Sequence, residues 1–378
     1  MTEARKRSLQ ATAVFVGSTL GAGVFGLPYA FAQSGWVAGA FFLVVLGFFL
    51  LLLQLLLAEI TIQTPGQSRL VGLAGHYLGP GARAIAMLIF FGGQWGILLS
   101  YLILGGEFLR TLFPALPPLA GPSMFFLVGL LLVVLPLRRA ASFELLIGAV
   151  LLTLFLVLML SGLPAFDPAL ITAVNLEHFF VPYGIILFAT SSLGVMPEMH
   201  AILGERYEYR LPRAVLYGSG IIFLLYLLFT FLMVGVTGST TTPNVLLGFA
   251  RVIGPDMAAV GSVLGLLTLW SIFMMIGEQL KDTCRRDLGF GRLSAVVLAL
   301  GVPALLFLFG VREFITVISF TGTVFSALLA CLILVIYRRL QRTVCRRIKC
   351  FTIPLPLLWL IGLLFFAGAV VELLSHVV

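Results

Sequence analysis

Residues 36–62 read WVAGAFFLVVLGFFLLLLQLLLAEITI, a run whose only charged side chain is Glu59. About 20 apolar residues in a helix suffice to cross the roughly 30 Å hydrocarbon layer of a bilayer. Comparable apolar runs recur along the chain at about 9–33, 36–62, 83–109, 122–137, 141–162, 176–201, 214–236, 257–280, 293–310, 314–337 and 354–376. The composition agrees, with 61% hydrophobic and only 10% charged residues and a mean hydropathy of +1.15. A soluble domain carries about a quarter charged residues. Backbone groups in hydrocarbon must be paired within their own segment, so long apolar runs cross as helices. The spacing predicts an all-α membrane protein with 11 transmembrane helices.

The formal charge of +8 would suggest nucleic acid in a soluble domain. Here it follows from loop placement, and no nucleic-acid partner is expected. With the N-terminus cytoplasmic, all of the 23 Lys and Arg residues except Arg110, Arg251 and Arg312 fall on the inner side. This is the distribution the positive-inside rule requires, and it predicts an external C-terminus. Arg138 and Arg139 form the tight turn between the fourth and fifth spans. Cys284, Cys331, Cys345 and Cys350 match no zinc or disulfide pattern, and all but Cys331 fall in expected cytoplasmic loops, where thiols stay reduced. No small-residue cleavage site follows the early RKR, so the first span is expected to be retained. The outer connection 237–256 carries an apolar run that predicts a short helix, and the basic stretch YRRLQRTVCRRIKC predicts an anchor at anionic headgroups.

The first span is odd. Its centre, GSTLGAGVFGLP (Gly17 to Pro28), holds four glycines and a proline, residues that weaken or interrupt a helix. Small residues four apart, such as Gly17 and Gly21, can let helices pack closely. Alternatively, residues 17–23 unwind, which hydrocarbon tolerates only against protein or a water-filled cavity. The sixth span favours unwinding. Its centre, FATSSLGVMPE, repeats the order of hydroxyl residues, glycine and proline. Interrupted spans in corresponding positions of two halves point to a midplane site in transporters built from repeats. Five spans per repeat invert the second copy, giving repeats of about 9–162 and 176–337, with the helix at about 354–376 added outside them.

The stretches VGSTLGAGVFGLPYAFAQSGW, LLSYLILGGEF, ATSSLGVMPEM, TLWSIFMMIGEQLKDTCRRDLG and ITVISFTGTVFS resemble the amino acid/auxin permeases and the bacterial hydroxy and aromatic amino acid permeases. Both belong to the amino acid–polyamine–organocation superfamily. The resemblance covers almost the whole chain. It implies a LeuT-like 5+5 inverted-repeat fold in a bacterial-type cell (inner) membrane. It also implies secondary active transport of a neutral, possibly aromatic, amino acid by alternating access.

A zwitterion crossing a bilayer needs both charges met without full ions facing lipid. A half-helix N-terminus suits the carboxylate, and Gly21, Ala22 and Gly23 lie where the second half of the first helix should begin. Exposed carbonyls at half-helix C-termini suit the ammonium; matched to the family's breaks, the candidates are Val16, Gly17, Phe188, Ala189 and Ser191. Ser18, Thr19, Thr190 and Ser192 could add hydroxyl contacts, or bond back to their own helices as such side chains often do in spans. The resemblance implies that Tyr101 donates to the carboxylate, and Phe188, just before the second break, is a candidate lid; the alternative for each is an aromatic that only packs.

No resident cofactor is expected beyond a coupling ion, H+ or Na+. The resemblance would set sodium between the carbonyls of Gly17 and Leu20 and the hydroxyls of Thr268 and Ser271. Those hydroxyls are three apart, not adjacent as in the best-known sodium sites. The fifth span also lacks the lysine of some proton-coupled relatives. Acidic residues within spans are costly and default to functional candidates; here they are Glu59, Glu107, Glu144, Glu198 and Glu278. Glu198 lies one turn beyond the second break and is the proton candidate, the alternative being a rim ion pair with Arg206 or Arg210.

Other functions fit less well. His76, His178, His200 and His376 are scattered and form no metal or catalytic motif, so an enzyme is not expected. Paired breaks within one chain argue against a channel. An amino acid exchanger or a membrane amino acid sensor on the same fold remains the alternative, and oligomeric state is not encoded in any motif.

Overall fold

The computed structural model describes residues 2–64, 69–135, 141–286, 288–343 and 353–375. Arg138, Arg139, Cys345, Arg346, Arg347, Lys349, Cys350 and His376, and the side chains of Glu144 and Arg286, lie outside the described residues. Among the described residues every regular element is helical, joined by turns and irregular segments. In order come α1 (Glu3–Thr19), α2 (Gly23–Ser34), α3 (Trp36–Ile62), α4 (Leu70–Leu78), α5 (Pro80–Leu112), α6 (Ala120–Val134), α7 (Ala141–Gly162) and α8 (Pro182–Thr190). There follow α9 (Met196–Leu203), α10 (Leu211–Thr237), α11 (Val245–Ile253), α12 (Pro255–Arg286), α13 (Arg292–Leu308), α14 (Phe314–Phe320), α15 (Ser326–Thr343) and α16 (Leu355–Ser375).

Seven described helical spans are long and apolar enough to cross a membrane, and α1 with α2 forms an eighth, bent by 62°. An eleven-span count requires the shorter apolar helices α6, α7 and α13 to cross as well. The expected outer helix forms as α11, packed on α12, α10 and α2, with the Asn244 side chain accepting from the Leu246 N–H at 3.2 Å as its N-cap. Cys284 corrects its expected loop position: it is fully buried within α12.

The first break is shorter than the expected 17–23. Gly17, Ser18 and Thr19 stay in the last turn of α1, where the Ser18 and Thr19 hydroxyls donate to the Phe15 carbonyl at 3.1 and 2.6 Å. Leu20, Gly21 and Ala22 carry the unwinding, and α2 starts at Gly23. The sixth span breaks more gently: α8 ends at Thr190, Ser191 and Ser192 leave helical geometry, and a single 3-10 turn at 193–195 leads into α9. Pro182 and Pro197 sit in the first turns of α8 and α9, where a missing N–H costs nothing.

Packing fixes the relation of the two breaks. α1 lies against α9 and α2 lies against α8, so the two broken spans run antiparallel. Around them stand α3 and α10 on one side, and the tenth span on another, where a five-residue π-helical turn (Thr321–Phe325) packs on α8. α16 is peripheral, with 17% of its span buried. The connection between α7 and α8 closes over the α2–α3 turn through bonds from Trp36 N–H to Thr172 O (2.9 Å) and Asn175 N–H to Ser34 O (2.7 Å). Gly35 makes that turn at φ 85, and a Cβ there would lie 2.7 Å from the Val174 backbone, so both conformation and space demand glycine.

Candidate functional site

At the first break the Gly21 N–H donates to Thr19 O at 2.9 Å rather than to Gly17 O. The carbonyls of Gly17 and Ser18 are therefore left without a backbone donor among the described hydrogen bonds, and the Gly23 N–H opens α2 without a backbone acceptor. At the second break Ser191 N–H closes on Leu187 O at 3.1 Å, and the next carbonyl, Phe188 O, is likewise without a backbone donor. Gly17 is half-buried with nothing within 4 Å of a Cβ built on it. Two helix C-termini thus bring their partial negative ends together, and one face of that junction is open.

The opposite face is capped by two side chains that sequence reasoning missed. Tyr226 of α10, fully buried, donates its hydroxyl to Ala189 O at 2.9 Å and to Thr19 O at 3.2 Å, one carbonyl from each break. Gln54 of α3 donates to Thr190 O at 3.4 Å and to Ser192 Oγ at 3.1 Å, while its own oxygen accepts from Ser219 of α10 at 3.0 Å. Behind them lies a cavity of about 190 Å³ lined by Phe15, Thr19, Gln54, Thr190, Ser219 and Phe223, among others. A signal was present: a lone amide or phenol inside an apolar span must find a buried partner.

The expected binding residues divide accordingly. Tyr101 does reach the first break: its buried hydroxyl lies at the Ala22 backbone, and a Cβ on Gly21 would collide with it. Gly23 packs closely on the second broken span: a Cβ there would lie 2.7 Å from Ala189 Cα and 2.9 Å from the Phe188 ring. The Thr190 hydroxyl, like those of Ser18 and Thr19, turns back to its own helix, on Ile186 O at 2.6 Å. The Ser192 hydroxyl is held by Gln54, and the Ala189 carbonyl is occupied by Tyr226. Ser191 and Phe188 are half-buried at the junction.

Of the expected sodium ligands, Gly17 lies in α1, Leu20 follows it, and Thr268 and Ser271 lie in α12. The Thr268 and Ser271 hydroxyls bond back to Leu264 O (3.0 Å) and Leu267 O (2.8 Å). α1, which carries Gly17 and leads to Leu20, packs on α7, α9 and α10 and shares no extended contact with α12. Glu198 turns toward α12: the Gln279 amide donates to it at 3.3 Å, and the Gln94 amide of α5 donates to Gln279 at 3.3 Å. Arg206 and Arg210 instead lie over the rings of Tyr207 and Tyr209, at 5.5 and 5.6 Å. Gln94 is two helical turns before Tyr101, so this polar row leads along α5 toward the first break.

An all-helical membrane chain with two antiparallel, interrupted spans meeting at a polar junction defines the class: an integral membrane protein of the LeuT fold. The chain belongs to the tryptophan/tyrosine permease family, whose pattern spans residues 4–374. It is similar to the amino acid transporter ANT1 of Arabidopsis thaliana, at 29% identity over 144 residues, 36% of this chain and 32% of that protein. The match thus spans about a third of the curated relative's length. Among solved structures it is similar to MhsT in complex with L-phenylalanine, at 16% identity and a TM-score of 0.63, covering 97% of this chain and 98% of that one. It is also similar to Mhp1, a nucleobase-cation-symport-1 family transporter in a closed conformation with bromovinylhydantoin bound. That likeness has 15% identity and a TM-score of 0.59, over 98% of this chain and 91% of the other.

Proposed function

We propose that this protein is a secondary active transporter that moves a neutral aromatic amino acid by alternating access. The observation that carries the reading is the open face of the junction. The carbonyls of Gly17, Ser18 and Phe188 lack backbone donors there and suit an ammonium, with the α2 N-terminus and the Tyr101 hydroxyl nearby to meet a carboxylate. Family membership supports the aromatic side chain. The protein is read as two inverted five-span repeats, about 9–162 and 176–337, with the added helix at about 354–376; the antiparallel pairing of α1 with α9 and α2 with α8 supports this. The charge distribution supports an N-terminus facing the cytoplasm of a bacterial-type inner membrane.

Proton coupling through Glu198 is favoured over sodium. Glu198 is half-buried one turn beyond the second break with a neutral amide as its partner, and the Thr268 and Ser271 hydroxyls each donate to a carbonyl of their own helix. Uptake of radiolabelled tryptophan, tyrosine and phenylalanine into proteoliposomes, under separately imposed proton and sodium gradients, tests the reading. Accumulation driven by the proton gradient is expected. Accumulation driven by sodium at constant pH would end the proton assignment, and counterflow without accumulation would make the protein an exchanger.

A further inference from the structure

We infer that Tyr226 is a positioning residue that sets the spacing of the ammonium-binding carbonyls by pinning the two breaks together from behind. Its hydroxyl reaches the last carbonyl of α1, Thr19 O, and the penultimate carbonyl of α8, Ala189 O, at 3.2 and 2.9 Å. Among the described residues no other side-chain hydrogen bond joins carbonyls of both broken spans. The ring is fully buried on α10, which also packs on α1, α2 and α3, so the anchor does not move with either half-helix alone. Two helix C-termini facing one another repel, and a single shared O–H between them relieves that repulsion without a cation. Thr19 O and Ala189 O are held by Tyr226, while the neighbouring Ser18 and Phe188 carbonyls have no backbone donor among the described hydrogen bonds. Tyr226 touches no proposed substrate position; it acts through the backbone.

This inference rests on the proposed amino acid substrate, and two measurements separate them. The first is discrimination between L-tryptophan and indole-3-propionate, which keeps the ring and carboxylate but lacks the α-amino group. Tyr226→Phe is expected to lower the affinity for tryptophan at least tenfold while leaving that for indole-3-propionate within about threefold. A parallel loss of both affinities, or an unchanged ratio, overturns the inference. The ratio can also be read as competition against labelled tryptophan in whole cells, which does not depend on how much variant reaches the membrane. The second measurement needs no substrate. Backbone hydrogen exchange in Tyr226→Phe is expected to quicken at both 19–24 and 189–195 and not across the other spans. Unchanged exchange at either break overturns the clasp even if transport is intact, whereas wild-type protein that ignores tryptophan overturns only the function reading.

Discussion

Gly23 and Ala189 meet backbone to backbone: a Cβ added to Gly23 would stand 2.7 Å from the Ala189 Cα and 2.8 Å from its Cβ. This is where the start of α2 crosses the end of α8, and it fixes how closely the two broken spans approach.

Substitution at that crossing is therefore expected to act on stability first. Gly23→Ala overpacks a backbone contact that cannot step aside, at a cost of about 1–3 kcal/mol. Thermal unfolding of purified protein should show a lowered midpoint with or without substrate. Gly17→Ala makes the contrast, since nothing lies within 4 Å of its Cβ. Because Gly17 lies within α1, this substitution should hold or slightly raise the midpoint, while weakening substrate binding at the open face.

Gly21 faces the Tyr101 hydroxyl, so Gly21→Val should displace that ring as well as resist the unwound backbone. Uptake is expected to be lost in folded protein. Gly21→Ala combined with Tyr101→Phe should be less damaging than the two single effects added, with a coupling of about 1 kcal/mol or more. Strict additivity in binding measurements would separate the two positions.

Gln54 has both ends of its amide engaged in an apolar setting. Gln54→Leu removes the donor from Thr190 O and Ser192 Oγ and the acceptor from Ser219, so a loss of about 1–3 kcal/mol is expected. A wild-type unfolding midpoint for this variant would show that the network contributes nothing.

Glu198→Gln imitates the protonated carboxyl. Proton-driven accumulation should disappear while substrate exchange persists, because the amide still meets Gln279. Reduced expression with an unchanged pH dependence of the surviving transport would instead mean that Glu198 is structural. Thr268→Val should be nearly silent in uptake, given that its hydroxyl already bonds to Leu264 O at 3.0 Å; a severe loss would restore the sodium site.

Much of the architecture was legible because the bilayer imposes length. The run at residues 36–62 was bounded as the helix it forms, and the glycines and prolines of the first and sixth spans marked both interruptions. The extent of the first break was not legible. Ser18 and Thr19 prolong α1 by donating to Phe15 O, a local competition that composition does not reveal.

The sequence by itself determined that the chain crosses a membrane and that its first and sixth spans are interrupted. Those properties follow from hydrophobic length and residue type, which are local. Only the tertiary structure decided which carbonyls remain open. Tyr226 and Gln54 are distant in sequence from the groups they cap, and it is the antiparallel crossing of the two broken spans that brings Thr19, Ala189 and Thr190 within reach of them. Hydrogen bonds act over about 3 Å, so their partners are fixed by how helices pack rather than by their order along the chain.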